Sequence, residues 1–266
     1  MSVIVPTRDE AENVDELVSR TRDAMVKSKL TWELLFVDDS DDDTPARAMS
    51  HAAAGLPVRV MHRAPGDRIG GLSMAVTAGF AHAQGGVLAV MDADLQHPPE
   101  VLADLVTAIV YDGADVSVAS RYCAGAHADA TDGLNGTWRL LVSHGCRWLV
   151  WIVRPRLWRV RDPLSGFFAV RRSVLVGTAL RPTGYKILLE LLARGRWDKV
   201  VEVPYHFAAR ERGTSKSELR QGVIFLLHLV RLVADRGAGS PIKVATTPAD
   251  QGQVHRHPPG RERRSL

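Results

Sequence analysis

One stretch decides how the rest of the chain is interpreted: Gly86-Val87-Leu88-Ala89-Val90-Met91-Asp92-Ala93-Asp94-Leu95-Gln96-His97-Pro98-Pro99-Glu100. Its apolar run has the length of a strand and ends at Asp92 and Asp94, and Pro98-Pro99 then opens a helix. Two carboxylates at the carboxyl end of a strand suit Mg²⁺ or Mn²⁺ that carries a diphosphate. An Asp-x-Asp pair alone is more often part of a solvated loop, so a metal site has to be supported by the surrounding sequence.

Apolar runs of strand length alternate with helical patterns throughout the first 120 residues. Strands are predicted at 1–5, 32–37, 57–61, 87–91 and 115–119, with helices between them. This alternation is typical of βαβ units in a mostly parallel sheet. We therefore predict an α/β fold in which a Rossmann-like sheet is flanked by helices.

Polar residues follow three of the predicted strands, at Pro6 to Glu10, Asp38 to Ser40 and Asp92 to Asp94. Ligands bind outside the carboxyl ends of the strands in a parallel sheet, so these segments are expected to converge on one site. Asp41 to Asp43 precede the next helical pattern, and we expect them to cap that helix.

The composition bounds the class of protein. The chain has 266 residues, 45% hydrophobic and 24% charged, which allows one large domain or two small ones. Its net charge of +4 favours anionic partners, but no nucleic-acid-binding motif is recognised and nucleic acid is not expected. Cys123 and Cys146 lack metal-ligand spacing and indicate a reducing compartment. No signal peptide is recognised, and the apolar run 223–233 is shorter than the roughly 20 residues that span a bilayer.

The second half changes character after a predicted surface loop at 122–137. Residues 137–161 interleave aromatic and basic side chains: Trp138, Trp148, Trp151 and Trp158 with Arg139, Arg147, Arg154, Arg156, Arg159 and Arg161. A basic, Trp-rich amphipathic helix suits a membrane interface. The same pattern also fits a helix that packs on the sheet with its arginines in solvent, and the sequence leaves both open.

Three further segments complete the chain. The basic loop 210–216 is able to fold over phosphates, or it is an ordinary surface loop. The last helical pattern, 217–235, predicts a C-terminal amphipathic helix that docks on the domain or lies on a membrane. Its apolar face consists of Leu219, Val223, Leu226, Leu227, Val230 and Val233. Residues 237–266 are predicted to form a disordered basic tail.

These motifs, in this order, are similar to those of the family 2 glycosyltransferases, and specifically to the polyprenol-phosphate (dolichol-phosphate) mannose synthases. The matching pieces are Val5-Pro6-Thr7-Arg8-Asp9-Glu10, Val37-Asp38-Asp39-Ser40, Gly70-Gly71-Leu72-Ser73, Met91 to Glu100, Ala119-Ser120-Arg121-Tyr122, Asp162-Pro163-Leu164-Ser165-Gly166-Phe167, Gly184-Tyr185-Lys186-Ile187-Leu188-Leu189-Glu190 and Arg212-Gly213-Thr214-Ser215-Lys216. They cover about residues 2 to 220. Each piece is weak alone, whereas the ordered set is specific.

The resemblance implies a GT-A fold, a nucleotide-sugar donor, a divalent metal and a role for each matching position. By this likeness, the pocket for the base and ribose is lined by Pro6, Arg8, Glu10 and Asp39. The metal is ligated by Asp94 and Gln96, with Asp92 at the ribose and metal side. The diphosphate is covered by Arg212, Ser215 and Lys216, and the acceptor phosphate is bound by Arg121 and Arg139. Position 8 departs from an aromatic residue frequent in the family. Base stacking there would come from the Arg8 guanidinium or be absent.

Elementary chemistry leads to the same reaction. The leaving diphosphate has to be neutralised, and a metal on Asp94 with Lys216 and Arg212 would do so. A hydroxyl acceptor needs a general base, but a phosphate acceptor is already anionic near neutral pH and needs cations such as Arg121 and Arg139. Asp162 is either such a base or a structural cap. Direct in-line displacement would invert the anomeric centre, as the family likeness also implies.

The predicted enzyme transfers a hexose, with mannose from GDP-mannose favoured, to polyprenyl phosphate in the presence of Mg²⁺ or Mn²⁺. The alternatives are UDP-glucose or another donor, a hydroxyl acceptor, and a non-catalytic nucleotide-binding or scaffold subunit. We expect a catalytic domain at 1–236, with a nucleotide-binding half at 1–120 and an acceptor- and membrane-facing half at 121–236. Family relatives often carry membrane spans, which are not recognised here, so we expect a peripheral protein at the cytoplasmic membrane face, or one that needs a membrane-anchoring partner subunit.

Overall fold

A seven-stranded sheet forms the centre of the computed structural model, which describes residues 1–28, 30–128, 145–181, 184–207, 218–234 and 242–243. In spatial order its strands are β3 (Val58–His62), β2 (Glu33–Asp38), β1 (Ser2–Thr7), β4 (Val87–Val90), β7 (Phe168–Arg171), β5 (Val116–Ser120) and β9 (Val200–Pro204). Only β7 runs antiparallel to its neighbours within this sheet. The predicted mostly parallel α/β sheet is confirmed.

Helices connect and cover these strands. They are α1 (Val14–Ser28), α2 (Thr44–Ala53), α3 (Gly71–His82), α4 (Leu102–Val110), α5 (145–153), α6 (Ile187–Arg194) and α7 (Glu218–Ala234). Two short ladders lie apart from the main sheet: β6 (His127–Ala128) pairs with β10 (His206–Phe207), and β8 (Ala179–Leu180) pairs with β11 (Ile242–Lys243).

Apolar side chains fill both faces of the sheet. In β1, Ile4 belongs to one buried cluster and Val3 and Val5 to the other, because successive strand residues point to opposite faces. On the Ile4 face, α3 packs against β1 so closely that a Cβ at Gly79 would lie 2.5 Å from Ile4 Cγ2. Strand β1 is fully buried between β2 and β4. Its carboxyl end therefore lies between the ends of these two strands, where the site is predicted.

The predicted Trp- and Arg-rich helix is interrupted. Helix α5 ends at residue 153, and a 3₁₀ turn over Pro155–Arg159 follows, because proline lacks the N–H that a continuing helix requires. The arginines are not simply solvated either: Arg147 donates to the Arg161 carbonyl at 3.1 Å, and Arg156 donates to the Trp197 carbonyl at 2.7 Å. Residues 129–144, which include Trp138 and Arg139, lie outside the described part of the chain.

The predicted amphipathic helix α7 exists, and the residues that it buries in the domain lie outside the predicted apolar face. Phe225, His228, Leu229 and Leu232 are buried, whereas Leu226, Leu227 and Val230 of the predicted apolar face are 52%, 54% and 63% exposed. Periodicity identified the helix but did not reveal which of two apolar stripes joins the core of the domain. Helix α7 therefore has one apolar face that is covered by the domain and a second that is not covered by the described residues.

Two smaller expectations at the helix and chain ends are revised. Ile242 and Lys243, inside the predicted disordered tail, pair with β8, while the rest of 237–266 lies outside the described residues. Before α2 it is Asp42 that accepts hydrogen bonds from the Thr44 backbone N–H at 2.9 Å and from its hydroxyl at 2.5 Å. Asp43, at the cap position itself, makes no such side-chain bond. Within the described residues, none of the helices combines the length and apolar character that crossing a bilayer requires.

Candidate active site

The carboxyl ends of β1, β2 and β4 meet at a cavity of about 310 Å³. Strand β1 pairs with both β2 and β4, so the segments that follow these three strands are brought side by side. The residues that line the cavity are Pro6, Thr7, Arg8, Glu10, Asp39, Arg68, Gly71, Leu72, Ala75, Asp92, Ala93 and Asp94. Six of the residues predicted from the sequence, namely Pro6, Arg8, Glu10, Asp39, Asp92 and Asp94, thus share one cavity wall.

A tight turn after β4 positions the two carboxylates. Leu95 has a positive φ of 61°, which is uncommon for a residue with a side chain. Asp94 is buried, and its Oδ1 accepts a hydrogen bond from the Gln96 backbone N–H at 3.2 Å. Asp92 is partly exposed at the cavity. Gln96, predicted as a metal ligand, follows the turn but is not among the residues that line the cavity.

His97 supports this turn through a hydrogen bond to its backbone, a role that the sequence did not predict. Its Nδ1 accepts the Asp92 backbone N–H at 3.1 Å, so a proton on this ring belongs on Nε2. The ring stacks on Phe167 with 5.2 Å between centroids. Burial, partly opposed by the charge of Asp94, lowers the pKa of His97 to about 4, which keeps the imidazole neutral and able to accept.

Gly166 completes the support for Asp92. A Cβ at this position would lie 3.0 Å from Asp92 Oδ2 and 3.1 Å from His97 Cε1. The turn at 162–166 therefore packs closely against the carboxylate, and a side chain at residue 166 would force its neighbours to shift by a few tenths of an ångström. This contact explains why a sequence motif more than sixty residues after Asp92 belongs to the same site.

Asp39, which lines the cavity after β2, is held by an ion pair. Arg63 donates to both carboxylate oxygens of Asp39, from Nε at 2.7 Å and from Nη2 at 2.5 Å. Bidentate pairing of this kind fixes the carboxylate in one orientation. Arg68 also lines the cavity, and its guanidinium contacts Asp41 Oδ1 at 2.6 Å. Neither arginine was predicted, because no local pattern indicates which carboxylate a distant arginine will meet.

Glu10 and Arg8 lie on the loop that leaves β1. The Glu10 carboxylate accepts a hydrogen bond from Asn13 Nδ2 at 2.7 Å, and its backbone N–H donates to Thr44 Oγ1 at 3.0 Å. These bonds tie the loop to α1 and α2, next to Pro6. Arg8 is exposed at the cavity, where its planar guanidinium is able to stack on a ring.

Arg121, a predicted contact of the acceptor phosphate, forms a buried pair with Asp162. Its Nε and Nη2 lie 2.9 Å and 3.1 Å from the two Asp162 oxygens, and its backbone N–H also donates to Asp162. Burial acts to lower the pKa of Arg121, but the hydrogen bonds and charge of Asp162 outweigh it, and the pKa is raised. Asp162 is thus the counter-ion of Arg121, which neither the cap nor the base interpretation anticipated.

The cavity wall has the donor set that a hard divalent cation requires. Asp92 and Asp94 supply two carboxylates, and Mg²⁺ is commonly held by one or two carboxylates together with substrate phosphates. Among the described residues no cluster of three or more His, Cys, Asp or Glu side chains is arranged to hold a metal ion alone. The residues present therefore fit a cation that arrives with a diphosphate.

Four predicted residues lie outside the part of the chain that the structure describes. They are Arg139, Arg212, Ser215 and Lys216. The described chain stops at residue 207 on one side of the predicted phosphate loop and resumes with α7 on the other. Their roles remain predictions.

Comparison with known proteins identifies the class to which this site belongs. The model of glycosyl transferase family 2 matches residues 2–175, which include the strands and turns that build the cavity. The chain belongs to glycosyl transferase family 2. The resemblance predicted from the ordered motifs is thereby confirmed, and with it the assignment of this family 2 protein as a glycosyltransferase.

Curated relatives extend the similarity beyond the family model. Over 237 residues the chain is 40% identical to a dolichol-phosphate mannosyltransferase of Pyrococcus furiosus, covering 89% of this chain and 64% of that protein. Over 245 residues it is 36% identical to the dolichol-phosphate mannosyltransferase of Saccharomyces cerevisiae, covering 87% of this chain and 86% of the relative. The chain thus spans less than two thirds of the archaeal relative but most of the yeast one.

Solved structures confirm the fold. Glucosyl-3-phosphoglycerate synthase of Mycobacterium tuberculosis, crystallised with Mn²⁺, UDP-glucose and phosphoglyceric acid, superposes with a TM-score of 0.66 at 21% sequence identity. The alignment covers 88% of this chain and 78% of that chain. The family 2 chain therefore has the predicted GT-A fold.

Proposed function

We propose that this family 2 enzyme transfers mannose from GDP-mannose to polyprenyl monophosphate, with Mg²⁺ or Mn²⁺ and with inversion at the anomeric carbon. The observation that carries the proposal is the shared cavity wall of Asp92, Asp94 and Asp39 in a chain 40% identical over 237 residues to a dolichol-phosphate mannosyltransferase. The catalytic domain is proposed to span residues 1–236. Mannose is favoured over glucose because the relatives from Pyrococcus furiosus and Saccharomyces cerevisiae are named mannosyltransferases.

The donor is proposed to enter with its nucleoside between the β1 and β2 ends and its diphosphate at the β4 end. Asp39, fixed by Arg63, and Glu10, fixed by Asn13, present oriented acceptors to the base and ribose. Asp92 and Asp94 would hold the metal ion, which supplies charge neutralisation for the leaving diphosphate when bound. Gln96 is retained as a proposed third ligand, together with Arg212, Ser215 and Lys216 as the proposed cover of the diphosphate.

The chemistry proposed for the acceptor is a single displacement. An oxygen of the polyprenyl phosphate attacks C1 of mannose, the bond between C1 and the β-phosphate oxygen of GDP breaks, and GDP departs with the electron pair. No protein base is required, because a phosphate monoester has a second pKa of about 6. This agrees with the pairing of Asp162 to Arg121, which commits that carboxylate to a cation rather than to a hydroxyl.

Peripheral binding to a membrane is proposed for two neighbouring surfaces of the second half. Trp148, Ile152 and Trp158 are 58%, 68% and 66% exposed on α5 and the turn that follows it. Arg154, after α5, donates to the Leu232 carbonyl of α7, so the exposed apolar face of α7 belongs to the same region. Exposed aromatic and aliphatic side chains among arginines suit a lipid interface. The cytoplasmic face is proposed because Cys123 and Cys146 are free thiols.

A transfer assay tests the proposal. Purified protein is incubated with labelled GDP-mannose or UDP-glucose, Mg²⁺ or Mn²⁺, and either polyprenyl phosphate in detergent or a saccharide acceptor. We expect label from GDP-mannose in the lipid fraction, and only when metal is present. Label that reaches a saccharide but never the lipid fraction would contradict the acceptor, and a strict preference for UDP-glucose would contradict the donor.

A further inference from the structure

Lys186 lies in a charged cluster with Arg121 and Asp162, next to the donor cavity. It is not among the residues proposed to bind the donor or the metal. It directly precedes α6, and its Nζ donates to the Leu164 carbonyl at 3.0 Å. The ammonium also lies 4.8 Å from the centroid of the Tyr185 ring. Leu164 belongs to the same turn as Asp162 and Gly166, so Lys186 is attached to the element that supports both Arg121 and Asp92.

The charges of this cluster do not balance. Arg121 and Asp162 form a bidentate pair and compensate each other. Among the residues that the structure describes, no carboxylate lies within ion-pair distance of the Lys186 ammonium, whose hydrogen-bond acceptor is a neutral carbonyl. A partly buried lysine without a carboxylate partner is unusual, because a buried charge is normally paired. Lys186, Arg121 and Asp162 together therefore carry one net positive charge, and Asp92, which also acts on the Lys186 ammonium, lies in the lining of the donor cavity.

The position of Lys186 separates it from the donor. The residues that line the donor cavity include neither Lys186 nor Arg121. Burial and the nearby Arg121 charge lower the pKa of Lys186 to about 8, while Asp162 and Asp92 act in the opposite direction. The ammonium thus remains mostly protonated near neutral pH and senses charges on both sides of the turn at 162–166.

We infer that Lys186 binds the phosphate group of the acceptor, an assignment that rests on the proposed function. A phosphate monoester carries a charge of about −1.5 to −2 at pH 7, and a neutral Arg121–Asp162 pair cannot offset it alone. Lysine serves as a compact point charge for phosphate, whereas the paired arginine provides directional hydrogen bonds. The Leu164 carbonyl holds the ammonium beside the pair until the phosphate arrives.

Direct binding to the full chain tests this role without turnover. A soluble short-chain prenyl monophosphate and, separately, GDP with Mn²⁺ are titrated calorimetrically into wild type, Lys186→Met, Lys186→Arg and Lys199→Met. Lys199 is the matched control, because its Nζ also donates to a backbone carbonyl, that of Asp112, outside the cavity. We expect Lys186→Met to weaken prenyl phosphate binding about tenfold or more, Lys186→Arg to retain most of it, and GDP affinity to stay unchanged.

Each contrary outcome has a distinct meaning. Equal prenyl phosphate affinity in wild type and Lys186→Met would overturn the inference and leave the proposed function intact. A loss confined to GDP would place Lys186 on the donor side and also overturn it. If wild type neither binds prenyl phosphate nor transfers sugar to it, the proposed function fails and the inference fails with it. Thermal melting of each variant separates these results from misfolding.

Discussion

Asp92 is positioned by neighbours that carry no charge at neutral pH. His97 accepts its backbone N–H, and Gly166 leaves just enough space beside its carboxylate. A neutral imidazole with a pKa lowered by burial to about 4 supports the turn without competing with a cation for the carboxylate oxygens. The contacts with His97 and Gly166 thus hold the Asp92 carboxylate in one orientation, in which its oxygens are able to ligate a cation.

Replacement of Gly166 by alanine is expected to damage the site and spare the fold. The new Cβ would press on Asp92 Oδ2 and His97 Cε1, so the carboxylate has to move. We expect Gly166→Ala to lower kcat by up to about tenfold, because the required shift of a few tenths of an ångström is smaller than the misplacement of about 1 Å that costs roughly a hundredfold. Gly86→Ala is the control, because its Cβ would meet nothing within 4 Å. Equal kcat in both variants would contradict the support assigned to Gly166.

The affinity for acceptor phosphate is expected to decrease as the pH rises through the pKa of Lys186, about 8. The ammonium is protonated below this pH and loses its charge above it, whereas the phosphate is already dianionic above its pKa of about 6. Burial raises the pKa of the neighbouring Tyr185 and of the Cys146 thiol, and Arg121, whose pKa is raised, stays charged. The carboxylates of Asp162 and Asp92 also act on the Lys186 ammonium.

The measurement is KM for polyprenyl phosphate between about pH 7 and 9, since Lys186 titrates near the middle of that range. Wild type should show a rising KM, and Lys186→Arg should not, because its guanidinium keeps its charge. A flat profile in wild type, or the same rise in the arginine variant, would assign the effect to another group.

At the scale of elements, α7 is attached to the domain through a buried polar network. His228 Nε2 lies 3.0 Å from Glu190 Oε2 in α6, and Glu190 Oε1 also accepts Arg194 Nε at 2.5 Å and the Arg181 backbone N–H at 2.7 Å. The loop predicted to cover the diphosphate ends where α7 begins. The orientation of α7 therefore sets one end of that loop.

Removal of the Glu190 carboxylate is expected to destabilise α7 selectively. Glu190→Ala leaves buried His228 and partly buried Arg194 without this acceptor and should reduce the free energy of unfolding by about 3 kcal/mol or more. Hydrogen exchange should accelerate first in peptides of α7. Glu100→Ala, which removes an exposed partner of Arg20, should change stability by less than about 1 kcal/mol. Uniform acceleration over the sheet would argue against a local role.

Sequence patterns predicted this architecture better than its contacts. The alternation of strands and helices, and the convergence of Pro6, Asp39, Asp92 and Asp94, follow from rules that hold for any parallel sheet. The ion pairs Arg63–Asp39 and Arg121–Asp162 could not be predicted from these rules. Their partners are 24 and 41 positions apart in the sequence and come together only in the complete fold. The sequence left open whether the apolar face of α7 docks on the domain or lies on a membrane, because periodicity describes a helix without its neighbours.

At the scale of the whole molecule, the second half presents an apolar surface that its described residues do not cover. It consists of Trp148, Ile152 and Trp158 and of Leu226, Leu227 and Val230. Trp151 does not belong to it, because its Nε1 donates to the Val160 carbonyl and its ring packs against the core. Arg147, stacked 3.6 Å over the Tyr122 ring, links α5 to the residue next to Arg121.

Removal of this apolar surface is expected to reduce binding to anionic vesicles. Trp148→Ser with Trp158→Ser should lower the membrane-bound fraction in a flotation assay about tenfold, because interfacial affinity scales with buried apolar area. Transfer to a water-soluble prenyl phosphate should stay unchanged. Tyr111→Ser, at an exposed aromatic residue next to α4, is the control. If both variants float as wild type does, the contact lies elsewhere or a partner subunit provides it.

The metal site at Asp92 and Asp94 is tested most directly by the affinity for GDP. It is measured calorimetrically with and without Mn²⁺, in wild type and in Asp94→Asn. Asp104→Asn, at an exposed carboxylate of α4, serves as the control. If Asp92 and Asp94 hold the cation that carries the diphosphate, Mn²⁺ should tighten GDP binding about tenfold or more in wild type and in the control. Asp94→Asn should bind GDP weakly and equally with or without metal. Full metal enhancement in Asp94→Asn would show that Asp94 does not hold the cation.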